Sequence, residues 1–189
     1  ASALCKLYGE SLEELGITTK RAARSEITRS RGTAKRDSHF SEEKNAEFVE
    51  FCRSTGLRRS EITKLRGDQL IERDGEYCIE TTGKGGRFRV ITICGNVELV
   101  IGKMKEAGTG KVWKKVPQNA DIHSYRADYA SRIYLKYARP IEEIPRKDRY
   151  VCRKDKAGIV YDRKAMLETS RALGHNRISV VGEHYLRLD

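Results

Sequence analysis

Residues 69–93 read QLIERDGEYCIETTGKGGRFRVITI, and this stretch decides the fold. It holds three short strand-like pieces, at 70–72, 76–81 and 87–93. Arg73-Asp74-Gly75 separates the first two, and Asp-Gly supplies the left-handed positions that a tight hairpin turn needs. Gly83-Lys84-Gly85-Gly86 separates the second from the third. In the third piece Phe88, Val90 and Thr92 fall on every second position, the period of a strand with two unlike faces. The expectation is a small three-stranded antiparallel sheet with two hairpin turns.

Helical spacing takes over on both sides. Upstream, Ser41 can cap a helix over 41–54 that carries Asn45, Phe48, Val49 and Cys52 along one side. Thr55-Gly56 ends it. A second helix is expected to start with Ser60 as N-cap and Glu61 in its first turn, which leaves Leu57-Arg58-Arg59 between the two. Downstream, Val97, Val100, Ile101 and Met104 keep helical spacing, as do Ile122, Tyr125, Tyr129 and Ile133. Pro140 and Pro145 interrupt the chain before a basic stretch, 146–156, read as a loop or ribbon. Asp162 can cap the next helix, with Met166, Ser170 and Leu173 inward and Gly174 as its stop, and a last short helix covers 178–185. The fold class is therefore α+β, mainly α-helical around one small antiparallel sheet.

The first 40 residues differ from this body. A short helix fits 7–17, after which Lys20, Arg21, Arg24, Arg29, Arg31, Lys35 and Arg36 face a single anion, Glu26. That segment reads equally as a solvated linker and as an arm lying along phosphates. The domain reading is a basic linker or edge over 1–40 and a globular domain over 41–189.

A chain of 189 residues suits one domain, or one domain with an arm. Its net charge of +11 favours a polyanionic partner: DNA, RNA or an anionic membrane surface. Charge alone does not choose among them. No run approaches the roughly 18 apolar residues of a membrane helix, and no apolar signal segment follows Ala1, so a cytoplasmic protein is the simple inference. Five cysteines occur without a C-x-x-C pair, which argues against zinc; Cys52, Cys78 and Cys94 sit in apolar strings as buried, reduced thiols.

Several polar residues stand at element ends. Arg58 follows a helix stop, Lys84 sits at a hairpin tip, and His123 and Arg126 share one helix face. His175 follows a glycine stop, and Tyr185 comes ten residues later. Taken singly, each has a plainer explanation: a surface ion pair, an exposed turn lysine, a helix-end histidine, a packed tyrosine.

Together they resemble one family. Thr55-Gly56-Leu57-Arg58-Arg59-Ser60-Glu61 resembles the first arginine box of tyrosine recombinases. Gly83-Lys84-Gly85-Gly86-Arg87-Phe88-Arg89-Val90 resembles their β-hairpin lysine motif. His123-Ser124-Tyr125-Arg126 is similar to the H-x-x-R box, Leu173-Gly174-His175 to the L-G-H box, and Tyr185 falls where the nucleophile stands. The order of the boxes carries the resemblance, since each alone is weak. Residues 144–181 further resemble integrases of conjugative transposons from Gram-positive bacteria.

The resemblance implies the catalytic-domain fold of that family and site-specific DNA recombination through a 3′-phosphotyrosyl intermediate, in the integrase of a mobile genetic element. It casts Tyr185 as nucleophile, Arg58 and Arg126 as a clamp on the phosphate, and His123 as assistant base. Lys84 becomes general acid to the leaving 5′ oxygen, His175 a phosphate hydrogen-bond partner, and Glu61 a support for Arg58 or His123. Arg58 is preferred to Arg59 because it follows Gly-Leu directly. No cofactor is implied, and neither an acidic Mg²⁺ cluster nor a P-loop is present.

The implied partner is double-stranded DNA at attachment sites in a bacterial cytoplasm, with Lys20, Arg21, Arg24, Arg29, Arg31, Lys35, Arg36 and Arg87 as candidate phosphate contacts. The resemblance also implies N-terminal DNA-binding domains preceding this segment and a homo-tetramer of full-length chains, with a monomer as one state open to the segment alone. It allows the tyrosine's helix to lie displaced until DNA and neighbours bind. Rival readings are a type IB topoisomerase, an inactive DNA-binding relative and, much lower, a basic RNA-binding protein.

Overall fold

A computed structural model describes residues 40–153, 156–175 and 177–186, together with 9, 11 and 14–16; for Lys84 it describes the backbone alone. The chain divides into two units, residues 1–32 and 33–189. In the first, the Ser11 amide donates to Glu14 Oε2 and the Glu14 amide to Ser11 Oγ, a reciprocal cap that starts one helical turn. The cations at 20, 21, 24, 29, 31, 35 and 36 lie outside the described residues.

The second unit bears out the α+β reading. The three strands, β1 (Leu70–Arg73), β2 (Glu76–Thr82) and β3 (Phe88–Thr92), form one antiparallel sheet in the order β1-β2-β3. Asp74 and Gly75 both take positive φ at the first turn, as a two-residue hairpin with the right twist requires.

The alternation along β3 places Ile91 on its inward face, fully buried, while Phe88 on the opposite face is 64% exposed. Ile91 pairs across the sheet with the equally buried Ile79, and this pair sets the register. Side chains alternate, so Arg89 turns inward with Ile91.

Helix α1 (Ala46–Thr55) packs Phe48, Val49, Phe51 and Cys52 into the core, where Trp113 meets Phe48 and Phe51 edge-on at 5.1 and 5.5 Å. Helix α2 (Arg59–Ile62) begins two residues earlier than expected, with Arg58 rather than Ser60 as N-cap. The Glu61 carboxylate accepts the Arg58 amide at 2.6 Å, so the first turn is capped from inside.

Helices α3 (Val97–Ala107) and α4 (Ile122–Tyr137) follow the expected spacing, capped by Asn96 and Asp121. Tyr125, Tyr129 and Ile133 of α4 are buried, and the Tyr129 hydroxyl donates to the Thr92 carbonyl at 2.8 Å, tying α4 to the sheet. Each such side chain contributes about 2 kcal/mol by leaving water.

The basic stretch folds as a ribbon of β4 (Arg149–Val151) and β5 (Val160–Asp162), a second, two-stranded sheet. Asp162 caps α5 (Arg163–Ala172) through its Oδ1, and α6 (Ile178–His184) closes the unit. Among the described cysteines, Cys52, Cys78 and Cys152 are buried free thiols and Cys94 is half-buried. No helix among the described residues is long and apolar enough to cross a membrane.

Candidate active site

The site forms where α1 and α5 end. Gly174 takes φ +64° and stops α5. The His175 amide then bonds back to the Ser170 carbonyl at 2.8 Å and the Gly174 amide to Arg171 at 2.9 Å. This paired closure leaves the carbonyls of Ala172 and Leu173 without helical donors. Three arginines take them. Arg89 Nη1 donates to Ala172 at 2.6 Å, Arg58 Nη2 donates to Leu173 at 3.2 Å, and Arg126 Nη2 also donates to Leu173. A helix C-terminus is the favourable end for cations.

Gly56 plays the matching part at α1. Its φ of +57° ends that helix, and a Cβ there would stand 2.1 Å from the Tyr129 ring. Its carbonyl accepts from Arg126 Nη1. Arg126 therefore bridges two helix ends while only 3% exposed. Burial first, then the neighbouring Arg89 and Arg58, pull its pKa down to about 10, so it stays charged at neutral pH.

Glu61 balances this charge. Its carboxylate is 3% exposed and accepts from the Arg58 amide at 2.6 Å, Arg58 Nη1 at 2.9 Å and Arg89 Nη2 at 2.6 Å. Burial pushes its pKa up, but Arg89, the Arg58 amide and Arg58 outweigh it, and the net direction is down. Glu61 thus bonds Arg58 and Arg89 together. Arg59 points elsewhere: its guanidinium donates to the carbonyls of Pro117 and Ala120, both at 2.6 Å. That separates it from Arg58.

The hairpin of β2 and β3 approaches the same pair. A Cβ on Gly83 would lie 3.1 Å from Glu61 Oε1 and 3.4 Å from Arg58 Nη1. The backbone of Lys84 begins beside them. Arg87 stands exposed on this hairpin.

Tyr185 completes the cluster. Its ring lies 5.1 Å from that of His123 and 5.2 Å from that of His175, with the Arg126 guanidinium 5.7 Å from its centroid. It is 7% exposed, so its helix is docked and not displaced. Asp121 sets this up: its Oδ1 accepts the Ser124 amide, which fixes the first turn of α4 and places His123 there, with Arg126 three residues on.

Burial, followed by Arg126, Arg58 and Arg89, lowers the His175 pKa to about 4. The imidazole is therefore neutral at pH 7, and its Nε2 is buried with no hydrogen-bond partner among the described residues; Arg89 Nε and Arg126 Nε share that condition. Two imidazoles and the Arg126 guanidinium face the phenol, and Arg58, Arg89 and Glu61 stand behind Arg126; such a cluster of donors suits an anion with several oxygens.

A pH dependence follows from His175. Between pH 6.5 and about 4 the unfolded chain binds a proton there that the folded chain refuses, so stability falls as pH drops through that window. Unfolding midpoints measured across it should fall more shallowly in His175→Gln than in the native protein. Equal slopes in the two proteins would remove His175 as the source.

Six expected residues, Arg58, Glu61, His123, Arg126, His175 and Tyr185, therefore meet. Arg89 was not foreseen. The signal that could have found it is the strand period: a charged residue in phase with Ile91 points inward and needs a buried counter-charge. Among the described residues, no group of three His, Cys, Asp or Glu side chains is arranged to hold a metal ion.

No family model matches the sequence, and no curated protein matches it. Among solved structures, the chain is similar to the XerH site-specific recombinase bound to palindromic difH substrate in a post-cleavage complex, at 14% identity and a TM-score of 0.48, covering 77% of this chain and 42% of that one. It is also similar to XerH bound to difH substrate in a pre-cleavage complex, at 16% identity and a TM-score of 0.44, covering 77% and 43%. The chain spans less than half the length of the solved structures it matches.

Proposed function

We propose that residues 41–189 are the catalytic domain of a tyrosine recombinase that cuts and rejoins DNA, the integrase of a mobile element of the conjugative-transposon kind. The observation that carries this reading is the Tyr185 ring held between His123, His175 and Arg126 within a cluster of three guanidiniums. A phosphodiester is an anion that gains charge on attack, and this cluster is built for such a group.

In the proposed reaction the Tyr185 oxygen attacks phosphorus while His123 takes the phenol proton. The bond from phosphorus to the 5′ oxygen breaks, and Lys84 gives that oxygen a proton. A 3′-phosphotyrosyl link and a free 5′ hydroxyl result. Attack of a 5′ hydroxyl on the link reverses the step, so rejoining needs no nucleotide. Arg58 and Arg126 grip the nonbridging oxygens, His175 donates a hydrogen bond to the same group, and Glu61 holds Arg58 in place. The partner is double-stranded DNA, with a homo-tetramer of full-length chains at paired sites. Arg87 and the cations at 20–36 are proposed to lie along the phosphates, and residues 1–40 to serve as linker and edge.

The test is a pool of nicked suicide duplexes, randomised around the nick, run on denaturing gels after incubation. A covalent adduct is expected, and Tyr185→Phe, which keeps the ring packing, should abolish it. An adduct that survives the substitution, or none from the native protein, overturns the reading. Efficient relaxation of any supercoiled plasmid would move it to a topoisomerase.

A further inference from the structure

We infer that Lys156, on the ribbon between β4 and β5, is the positioning residue that holds Tyr185 in the site, an inference that rests on the proposed reaction. Its Nζ donates to the Gly182 carbonyl at 3.0 Å and to the Leu186 carbonyl at 2.7 Å. Those two acceptors flank Tyr185 in the sequence. One lies in the last turn of α6 and the other just past it. A single ammonium thus fastens the chain on both sides of the tyrosine, at the helix end where carbonyls lack donors and a cation is favoured.

Packing from the same ribbon points the same way. A Cβ on Gly182 would meet Met166 Cε at 3.0 Å, Tyr150 Cε1 at 3.4 Å and Cys152 Sγ at 3.6 Å. Tyr150 and Cys152 belong to the ribbon and its edge, and Met166 to α5. Helix α6 is seven residues long, too short to hold its shape alone. The amides of Tyr185 and Leu186 both bond to the Val181 carbonyl, at 3.0 and 3.1 Å, so its last turn is a bifurcated closure. The two charge-assisted bonds from Lys156 complete that turn and set the distance of the phenol from His123, His175 and Arg126. A nucleophile misplaced by about 1 Å loses about 100-fold in rate.

The experiment compares Lys156→Met, which keeps the stem and loses the donors, with Lys156→Arg. Hydrogen exchange is measured without DNA, and adduct formation with the nicked pool. In Lys156→Met the amides of Tyr185 and Leu186 should exchange at least about 10-fold faster while those of α4 keep their protection. Adduct formation should slow about 10- to 100-fold at unchanged DNA affinity, and Lys156→Arg should recover part of both. Unchanged exchange at 185 and 186, or protection lost throughout α4 as well, overturns the inference. If the native protein forms no adduct, the proposed reaction fails, while the exchange arm still decides whether Lys156 fastens this segment.

Discussion

Arg126→Ala is expected to lower stability by about 3 kcal/mol and to slow adduct formation about 1,000-fold. The stability loss comes from two carbonyls, Gly56 and Leu173, that would lose a donor in a buried place. The Gly56 carbonyl becomes an orphan at about 1–3 kcal/mol, and the Leu173 carbonyl loses one charge-assisted bond but keeps Arg58 Nη2. Removing a guanidinium that sits against Arg58 and Arg89 relieves some repulsion, which holds the net figure at about 3 kcal/mol. Thermal melting should show it as a midpoint lower by about 10 °C. The rate loss has a different origin: in the proposed reaction the phosphate would lose one of its two guanidiniums at the position where charge develops. Arg126→Lys should not rescue either quantity. One ammonium lacks the planar fork that spans two helix ends while facing the Tyr185 ring. A lysine variant with native melting and native adduct yield would show that Arg126 acts as a point charge and not as a bridge.

Much of this site could be read from the chain because it is made of punctuation. Gly56 and Gly174 end helices; such signals are local and survive without a structure. Arg58 and His175 stand next to them, so their placement came with the element ends. The Asp74-Gly75 turn fixed the first hairpin in the same way. What could not be read was pairing over distance. Arg89 meets Glu61 across 28 positions and the Ala172 carbonyl across 83, and nothing local marks either contact. The alternation of Phe88, Val90 and Thr92 marked a strand but not which of its faces turns inward, which the buried pair of Ile79 and Ile91 decides. Lys156 lay in a stretch read only as basic, yet its donors reach Gly182 and Leu186 in another element. The start of α2 moved for a related reason, since the cap is a carboxylate three residues inside and not the hydroxyl of Ser60.

Those distant pairs make Glu61 the second position of large expected effect. Glu61→Gln leaves an amide where a carboxylate now receives three donors from Arg58 and Arg89. Two guanidiniums would then face Arg126 with no buried anion among them. Breaking one member of such a network costs about 3–5 kcal/mol, and the freed Arg58 should slow adduct formation about 100-fold. Arg89→Met should cost less than Glu61→Gln, because Arg58 still pairs the carboxylate. The double variant should lose less than the sum, by about 1–3 kcal/mol, if the two side chains act as one unit. Additive losses would show that Arg89 stabilises only the α5 carbonyl. Acid titration separates this network from His175. The folded carboxyl of Glu61 lies below its ordinary value of 4.5, so its contribution is complete above that pH and fades as pH falls through the folded pKa. Glu61→Gln should therefore flatten the stability profile below pH 4.5 and leave the slope between 6.5 and 4.5, which His175 sets, as it is in the native protein.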